Sequence, residues 1–296
     1  MSLLTATQGT PNRVFGLLRL LSEAGTPLSV ETIAGWLVPE NTIGNNEVVR
    51  PKEGLEQTLS AARSLRLLSD GSPVTATAEV PNTIQAFADL AHQHLCDLPA
   101  TDANAVVLKV YAWFVLREDR DAASLHRRER DGLASEIDGA FPRAKDEDPK
   151  AFNSTKIAPW VRWVSFLGLG MELPNTIFFP YPAERVLREL RRIAADAGFD
   201  RDMDFREVQK ELSKRAPYLD HGDVFLEMSD RTGWRPRTLS RVLSGALREL
   251  HQEGEIRLIA LGDSADRVQF APDPNDLTGL PGANRIRVFE EASRAV

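Results

Sequence analysis

One stretch near the C-terminal end of the chain is rich in arginine and has no acidic side chain. Residues 231–248 contain five arginines and neither aspartate nor glutamate. Arg237 and Arg241 are four residues apart and would share one face of a helix, with Thr238 at its start and Ser240 beside them. The planar guanidinium group suits phosphates and guanine edges because it donates two parallel hydrogen bonds. The stretch therefore predicts a contact with double-stranded DNA. The predicted DNA-binding residues are Arg231, Arg235, Arg237, Thr238, Ser240, Arg241, Arg248, Arg257 and Arg267.

The same arginines also fit a solvated helix face. Acidic residues flank the stretch at Glu227, Asp230, Glu249 and Glu253. Surface helices commonly carry such mixed charges without binding anything. The sequence leaves both interpretations open.

Residue types that support catalysis or bind a metal form no recognisable motif. A phosphate loop of the form G-x-x-x-x-G-K-[ST] is missing, and Gly168-x-Gly170 lacks the third glycine of a dinucleotide fingerprint. His92, His94 and Cys96 occupy alternate positions, which on a helix point in different directions and offer no converging ligand set. We therefore predict that the protein is not an enzyme and uses no cofactor or metal.

Three aspartates at alternate positions resemble the opening of a calcium loop. They are Asp200, Asp202 and Asp204, and the glycine and distal glutamate that complete such a loop do not follow them. A helix is predicted to begin near Phe205, so we expect these residues to cap it.

The composition is that of a globular protein. Hydrophobic residues make up 42% and charged residues 27% of the chain. Cys96 is the single cysteine, so no intramolecular disulfide can form, and no signal peptide or membrane span is recognisable. These features predict a cytoplasmic protein without membrane contact. Because the net charge is −7, any DNA-binding surface must be a local basic patch.

Three segments repeat one pattern at intervals of roughly a hundred residues. Each has helical periodicity followed by a strand, a turn and a second strand. The pattern predicts a mainly α fold with small β-hairpins, arranged as a tandem array of three winged helix-turn-helix units joined by linker helices. We place the units at residues 1–98, 99–200 and 201–272, with an irregular tail at 273–296.

The first predicted unit begins with a helix after Thr10-Pro11 and has further helices starting at Ser29 and Pro51. Asp70-Gly71 predicts a hairpin turn, and residues 84–98 a linker helix. The third helix carries mixed charge, so a protein contact is as plausible there as a DNA contact. The polar residues in this helix and beside it are Arg50, Lys52, Glu53, Glu56, Gln57, Ser60, Arg63 and Arg66.

The second predicted unit has helices beginning near Asp102, over residues 124–137 and over residues 156–167. Trp160 and Trp163 share one face of the last helix, which favours a core stripe over a stacking platform. Residues 168–173 and 176–179 are predicted to form the wing strands. A linker helix is predicted over residues 183–197.

The third predicted unit has helices over residues 205–216, 224–229 and 236–253. Residues 256–260 and 268–270 are predicted to pair as a hairpin around a polar loop. In a winged helix the third helix lies in the major groove and the wing touches phosphate. Arg257 and Arg267 would then add wing contacts to those of the arginine-rich stretch.

Motifs at two places in the chain resemble one bacterial family. They are Thr10-Pro11-Asn12-Arg13-Val14, and Phe152-Asn153-Ser154-Thr155-Lys156 followed by Trp160-Val161-Arg162-Trp163 and Leu167-Gly168-Leu169-Gly170. The chain is similar in these motifs and in length to DpdG proteins, which belong to gene clusters that insert 7-deazaguanine derivatives into DNA and restrict unmodified DNA. The resemblance implies service in the restriction or antiphage arm of such a system. It carries over no catalytic residue.

The favoured hypothesis is a non-catalytic DNA-binding or adaptor subunit of a bacterial restriction or antiphage defence system. Its expected partners are double-stranded DNA and the proteins of a multi-subunit complex. The acidic total charge favours an alternative, a tandem winged-helix scaffold similar to those that bind kleisins. A transcriptional regulator is a further alternative, and a nuclease would require chemistry that no motif indicates.

Overall fold

The computed structural model describes residues 2–37, 51–125, 129–141, 150–173, 177–235, 237–262 and 266–290. The fold is mainly helical with small antiparallel sheets, as the sequence predicted. Two compact units are present, one of Met1–Val107 with Thr155–Leu167 and one of Leu108–Ser154 with Gly168–Val296. They do not coincide with the three repeated segments, whose division stays a prediction.

Among its described residues, the first unit contains four complete α-helices. They are α1 (Pro11–Ala24), α2 (Val30–Leu37), α3 (Pro51–Ser64) and α4 (Ile84–Cys96). Helix α1 begins as expected, because Thr10 accepts a hydrogen bond from the backbone N–H of Arg13 and Pro11 stands in the first turn. The hairpin predicted at Asp70-Gly71 is reduced to single bridges, which join Leu68 to Ala76 and Leu28 to Val74.

The first unit also contains most of the helix that carries Trp160 and Trp163. Helix α7 (Ser154–Phe166) is numbered after α5 (Val106–Leu125) and α6 (Arg130–Gly139), which lie mainly in the second unit. Trp160 is fully buried and its indole N–H donates to the carbonyl oxygen of Val107 at 2.9 Å. Trp163 is buried as well, so the prediction of a core stripe is confirmed.

The second unit contains the remaining helices and all seven strands of the described residues. Its elements are β1 (Gly170–Met171), β2 (Phe179–Pro180), α8 (Ala183–Ala197), β3 (Met203–Asp204), α9 (Phe205–Arg215), α10 (Asp223–Thr232), α11 (Arg241–Gln252), β4 (Ile256–Ile259), β5 (Val268–Gln269), β6 (Gly282–Ala283) and β7 (Arg285–Val288). Strands β1 and β2 pair as predicted. Helix α8 has the predicted bounds. It follows β2 in the chain and packs against α9 and α11.

The largest sheet has the strand order β3-β7-β4 and is antiparallel throughout. The predicted hairpin between residues 256–260 and 268–270 is wrong, because β4 pairs with β7 and β5 pairs with β6. The prediction of an irregular tail is also wrong for residues 282–288. Ile286 and Val288 are fully buried and alternate with two half-buried arginines, which is the period-two pattern of a strand with one face in the core.

Helix α11 begins at Arg241, whereas the sequence predicted a start at Pro236, which lies outside the described residues. Ser240 is its N-cap, and the N–H of Leu239 donates to the carbonyl oxygen of Gln269 at 2.9 Å. These contacts hold the preceding segment in a non-helical conformation. Among the described residues, no helix is both long enough and apolar enough to cross a membrane.

Candidate nucleic-acid interface

The start of α11 is fixed by a buried carboxylate. Asp220 accepts hydrogen bonds from the N–H of Ser240 and from its hydroxyl, both at 2.6 Å. The hydroxyl oxygen of Ser240 in turn accepts from the N–H of Leu243 at 3.2 Å. Burial raises the pKa of Asp220, and the two hydrogen bonds from Ser240 offset only part of that rise. Ser240, a predicted DNA-binding residue, is therefore fully buried and positions the helix instead.

Arg237 and Arg241 lie on the surface at this end of α11. Both side chains are exposed, and Thr238 between them is half-buried, with its hydroxyl donating to the carbonyl oxygen of Leu239. Arg241 is the first residue of the helix, where the unsatisfied N–H groups give a partial positive charge. The two arginines and the helix dipole together produce a positive potential suited to an anion.

Two other predicted residues are engaged by neighbouring acids. Arg231 pairs with Glu227, lies 3.4 Å from the carbonyl oxygen of Ala140 and stacks over the ring of Phe141. Arg235 pairs with Asp230, and both side chains are exposed. Arg235 can exchange this partner for a phosphate, whereas Arg231 is tied to its own unit.

The acidic partner of Arg231 is also bound by a lysine. Lys109 lies 2.8 Å from Glu227 and is itself buried. Burial raises the pKa of Glu227, but the hydrogen bonds and charges of Lys109 and Arg231 outweigh it, so that the pKa is lowered. The cluster keeps Glu227 ionised and holds Arg231 in place.

Arg248 points into the protein. Its side chain is 7% exposed, forms an ion pair with Asp276 at 3.0 Å and donates to the carbonyl oxygens of Ala271 and Leu280. The guanidinium group also lies over the ring of Phe270. The structure thus places this predicted DNA-binding residue in a structural position, away from any surface.

The outer face of the large sheet carries further arginines. Arg257 on β4 is exposed and is paired in register with Arg287 on β7. Arg267 is half-buried and donates to the carbonyl oxygen of Gly262. Arg257 is therefore on the surface, as expected, but on the sheet and not at the tip of a hairpin.

Sequence reasoning missed two arginines of this face. Arg287 pairs with Asp202 at 2.7 Å, and Arg285 lies 3.5 Å from Asp204. The alternation of arginine with Ile286 and Val288 in the sequence is the pattern that would have predicted a strand with these two arginines on one face. Asp204 caps α9, as predicted, by accepting from the N–H groups of Arg206 and Glu207. This is a salt-bridged surface with little net positive charge.

The first unit offers a polar cleft of about 430 Å³ beside α3. Its lining residues are Ser60, Arg63, Ser64, Arg66, Asp70, Asp102 and Asn104. Arg63 donates to the carbonyl oxygens of Ser69 and Gly71, and Arg66 lies 3.5 Å from Asp102. Arg50 and the side chain of Lys52 lie outside the described residues. The cleft is lined by equal numbers of acidic and basic side chains, so its net charge does not attract DNA.

Within the described ranges, no group of three or more histidine, cysteine or acidic side chains could hold a metal ion. His92 and Cys96 do meet, with 3.6 Å between Nε2 and Sγ, because they are one helical turn apart on α4. His94 faces elsewhere, and burial lowers its pKa against the opposing effect of Asp97.

A family model described as DpdG-like matches residues 1–264 of the chain. The matched range contains every motif on which the resemblance was based, so that prediction is confirmed. It also contains α11 and β4, whereas β5, β6 and β7 lie beyond it. No curated protein and no solved structure matches the chain.

Proposed function

Because the chain belongs to the DpdG-like family, we propose that it is a non-catalytic DNA-binding subunit of a system that modifies DNA with 7-deazaguanine derivatives and restricts unmodified DNA. The observation that carries this proposal is the exposure of Arg237 and Arg241 at the N-terminal end of α11. Double-stranded DNA is the proposed ligand, and other proteins of the system are the proposed partners.

The proposal includes a winged-helix arrangement in the second unit. Helices α8, α9 and α11 take the places of its three helices, and β3, β4 and β7 take the places of its strands. Support comes from the strand order β3-β7-β4, in which the strand between the first two helices pairs with the last strand. Helix α10 is then an insertion before the recognition helix.

The burial of α11 indicates how it would meet DNA. Leu243, Ser244, Ala246 and Leu247 are buried, so only a narrow side of the helix faces solvent. We therefore propose that the helix approaches DNA by its N-terminal end, with Arg237 and Arg241 on backbone phosphates and the helix dipole adding to the attraction. Such a contact positions a protein on DNA without reading much sequence.

The electrostatic cost of Arg241 supports a binding role. A cation at a helix N-terminus lowers stability by about 0.3–1 kcal/mol, since it meets the positive end of the dipole. The same charge strengthens the attraction for a phosphate.

The test is a charge reversal at the proposed contact. We expect Arg237→Glu with Arg241→Glu to weaken binding of a fluorescent duplex by roughly 30- to 100-fold and to flatten the slope of log affinity against log salt by about two. The matched control is Lys210→Glu with Lys214→Glu, which makes the same charge change on exposed positions of α9. This control should stay within about threefold of the unaltered chain.

Equal losses in both variants would show that only the total charge matters and would overturn the proposed contact. Weak binding that neither variant changes would overturn DNA binding itself. A parallel titration with a duplex containing a 7-deazaguanine derivative tests the link to modified DNA. Contacts limited to phosphates should give both duplexes similar affinities.

A further inference from the structure

Strands β4 and β7 are neighbours in one sheet, yet residues 260–284 lie between them. Ile259 at the end of β4 is paired with Arg285 at the start of β7, so a turn of about two to five residues would connect the strands. The connection instead contains β5 and β6, which pair with each other and enclose a further segment between them. Most of this insertion lies beyond the family match, which ends at residue 264.

Arg248 fixes the part of the insertion from residue 271 to residue 280, here called the Leu277 loop. Its guanidinium group donates to the carbonyl oxygens of Ala271 and Leu280, at 2.9 and 3.3 Å, at the two ends of the loop. Its Nε lies 3.0 Å from the carboxylate of Asp276 in the middle, and the two side chains are only 7% and 11% exposed. Arg248 therefore ties the two ends and the middle of the loop to helix α11.

Hydrogen bonds inside the loop fix its tip. The carboxylate of Asp276 accepts from the N–H and the hydroxyl of Thr278, at 2.8 and 2.6 Å, and the Thr278 hydroxyl oxygen accepts from the N–H of Leu280 at 3.2 Å. Leu277 stands between these groups and is 88% exposed, compared with 60% for Trp36, the next among the described large apolar side chains. An ordered loop that holds an apolar side chain in water can bind without a further loss of conformational entropy.

The charge of the loop indicates its partner. Residues 268–284 contain Asp273 and Asp276 and no lysine or arginine, and Asp273 is exposed. Because Arg248 already pairs with Asp276, the exposed carboxylate of Asp273 is the charge that the loop presents to a ligand, and it would repel the phosphates of DNA. A protein surface with an apolar pocket and a basic rim complements both Leu277 and Asp273.

We propose that the Leu277 loop is a preformed docking loop for a partner protein, with Leu277 in an apolar pocket and Asp273 facing a basic rim. Arg248 is the positioning residue of the loop. The proposal does not depend on the DNA contact at α11, and the two can fail separately.

The experiment starts with a photo-crosslinking benzophenone amino acid at position 277 of the full chain, expressed in the cell that encodes it. The matched control carries the same group at Leu261, which lies in the same insertion and is 51% exposed. We expect one defined heterologous adduct at position 277 and none at position 261. Absence of an adduct, equal adducts at both positions, or an adduct with a second copy of this chain would overturn the proposal.

The crosslinked protein is then purified and titrated against variants of the full chain. Leu277→Asp should weaken the complex by about 10- to 100-fold, since it places a charge in an apolar pocket. Leu261→Asp should change affinity by less than about threefold, and Asp273→Lys should weaken binding if the rim is basic. All three positions are exposed, so the thermal midpoint should stay unchanged.

Equal effects of Leu277→Asp and Leu261→Asp would overturn the docking loop, and tighter binding by Asp273→Lys would overturn the basic rim. Duplex affinity should be unaffected by Leu277→Asp. If it is lost instead, Leu277 is a DNA wedge and the protein-docking proposal is wrong. Failure of the DNA-binding test at Arg237 and Arg241 leaves these outcomes unchanged.

Discussion

Arginines lie at the C-terminal end of α3 and at the N-terminal end of α11. The helix dipole stabilises a positive charge at the first of these ends and destabilises it at the second. At α3, Arg63 donates to two backbone carbonyl oxygens just beyond the helix, in the region where the dipole favours a cation. At α11, Arg241 is the first helical residue and meets the positive end of the dipole. The arrangement at α3 is explained by stability, whereas the one at α11 favours an anionic ligand.

A second contrast lies within α11 itself. Arg237 and Arg241 are exposed at its start, while Arg248 is buried two turns later and binds Asp276 and two carbonyl oxygens. One basic stretch of sequence thus supplies both surface charge and internal bonds. Substitutions that separate these roles test the comparison.

The largest effect is expected for Arg248→Met. We expect it to lower the free energy of unfolding by about 2–4 kcal/mol, because it removes the cation that pairs with Asp276 and two charge-assisted hydrogen bonds to backbone carbonyl oxygens. Urea denaturation of the full chain measures this. Arg66→Met at α3 is the control and should cost less than about 1 kcal/mol, since Arg66 is 57% exposed and 3.5 Å from Asp102. Similar losses of stability in both variants would show that burial does not distinguish the role of Arg248 from that of Arg66.

A smaller loss is expected on acidification. Burial raises the pKa of Asp276, but the hydrogen bonds from Thr278 and the charge of Arg248 outweigh this and lower it below the ordinary value of 3.8. The pair therefore stabilises the fold above pH 3.8, and that stability is lost as the pH falls through the lowered pKa. The stability gap between the unaltered chain and Asp276→Asn should shrink over this range. A gap independent of pH would contradict the assignment.

Arg63→Met should have an intermediate effect of about 1–2 kcal/mol, because it removes two charge-assisted hydrogen bonds to carbonyl oxygens at a half-buried site. Thermal unfolding detects it. Arg237→Met is the counterpart at α11 and should be close to neutral for stability, since its side chain is exposed. A loss at Arg237 equal to that at Arg63 would remove the difference between the two helix ends.

Much of the fold was accessible from the sequence because helical periodicity and capping residues mark it locally. The bounds of α8 and the starts of α1 and α4 agree with the predictions. Strand pairing was not accessible, because it depends on contacts between distant residues. The pairing of β4 with β7 across residues 260–284 therefore escaped prediction.

The candidate site shows the same limit. Spacing predicted that Arg237 and Arg241 share one face of a helix, which is wrong because the helix begins at Arg241 and Arg237 lies in the non-helical segment before it; both side chains are nevertheless exposed, as a DNA contact requires. Spacing could not show that Ser240 and Arg248 are buried, because Asp220 and Asp276 reach them from distant parts of the chain. Local pattern gives the position of a side chain on a helix, and only the tertiary fold decides which side faces solvent.

The sharpest test of the comparison is Arg241→Gln, for which a small effect on stability is expected. Removing a cation from the positive end of α11 relieves an unfavourable interaction with the helix dipole of about 0.3–1 kcal/mol, and the contacts that Arg241 makes within the protein act in the opposite direction. The same change should weaken duplex binding about tenfold at low salt and reduce the salt slope by about one. Urea denaturation and fluorescence anisotropy on one preparation measure both. A gain in stability with a loss of binding would show that this arginine is kept for its ligand. Loss of stability together with binding would instead mean that Arg241, like Arg63, serves the fold.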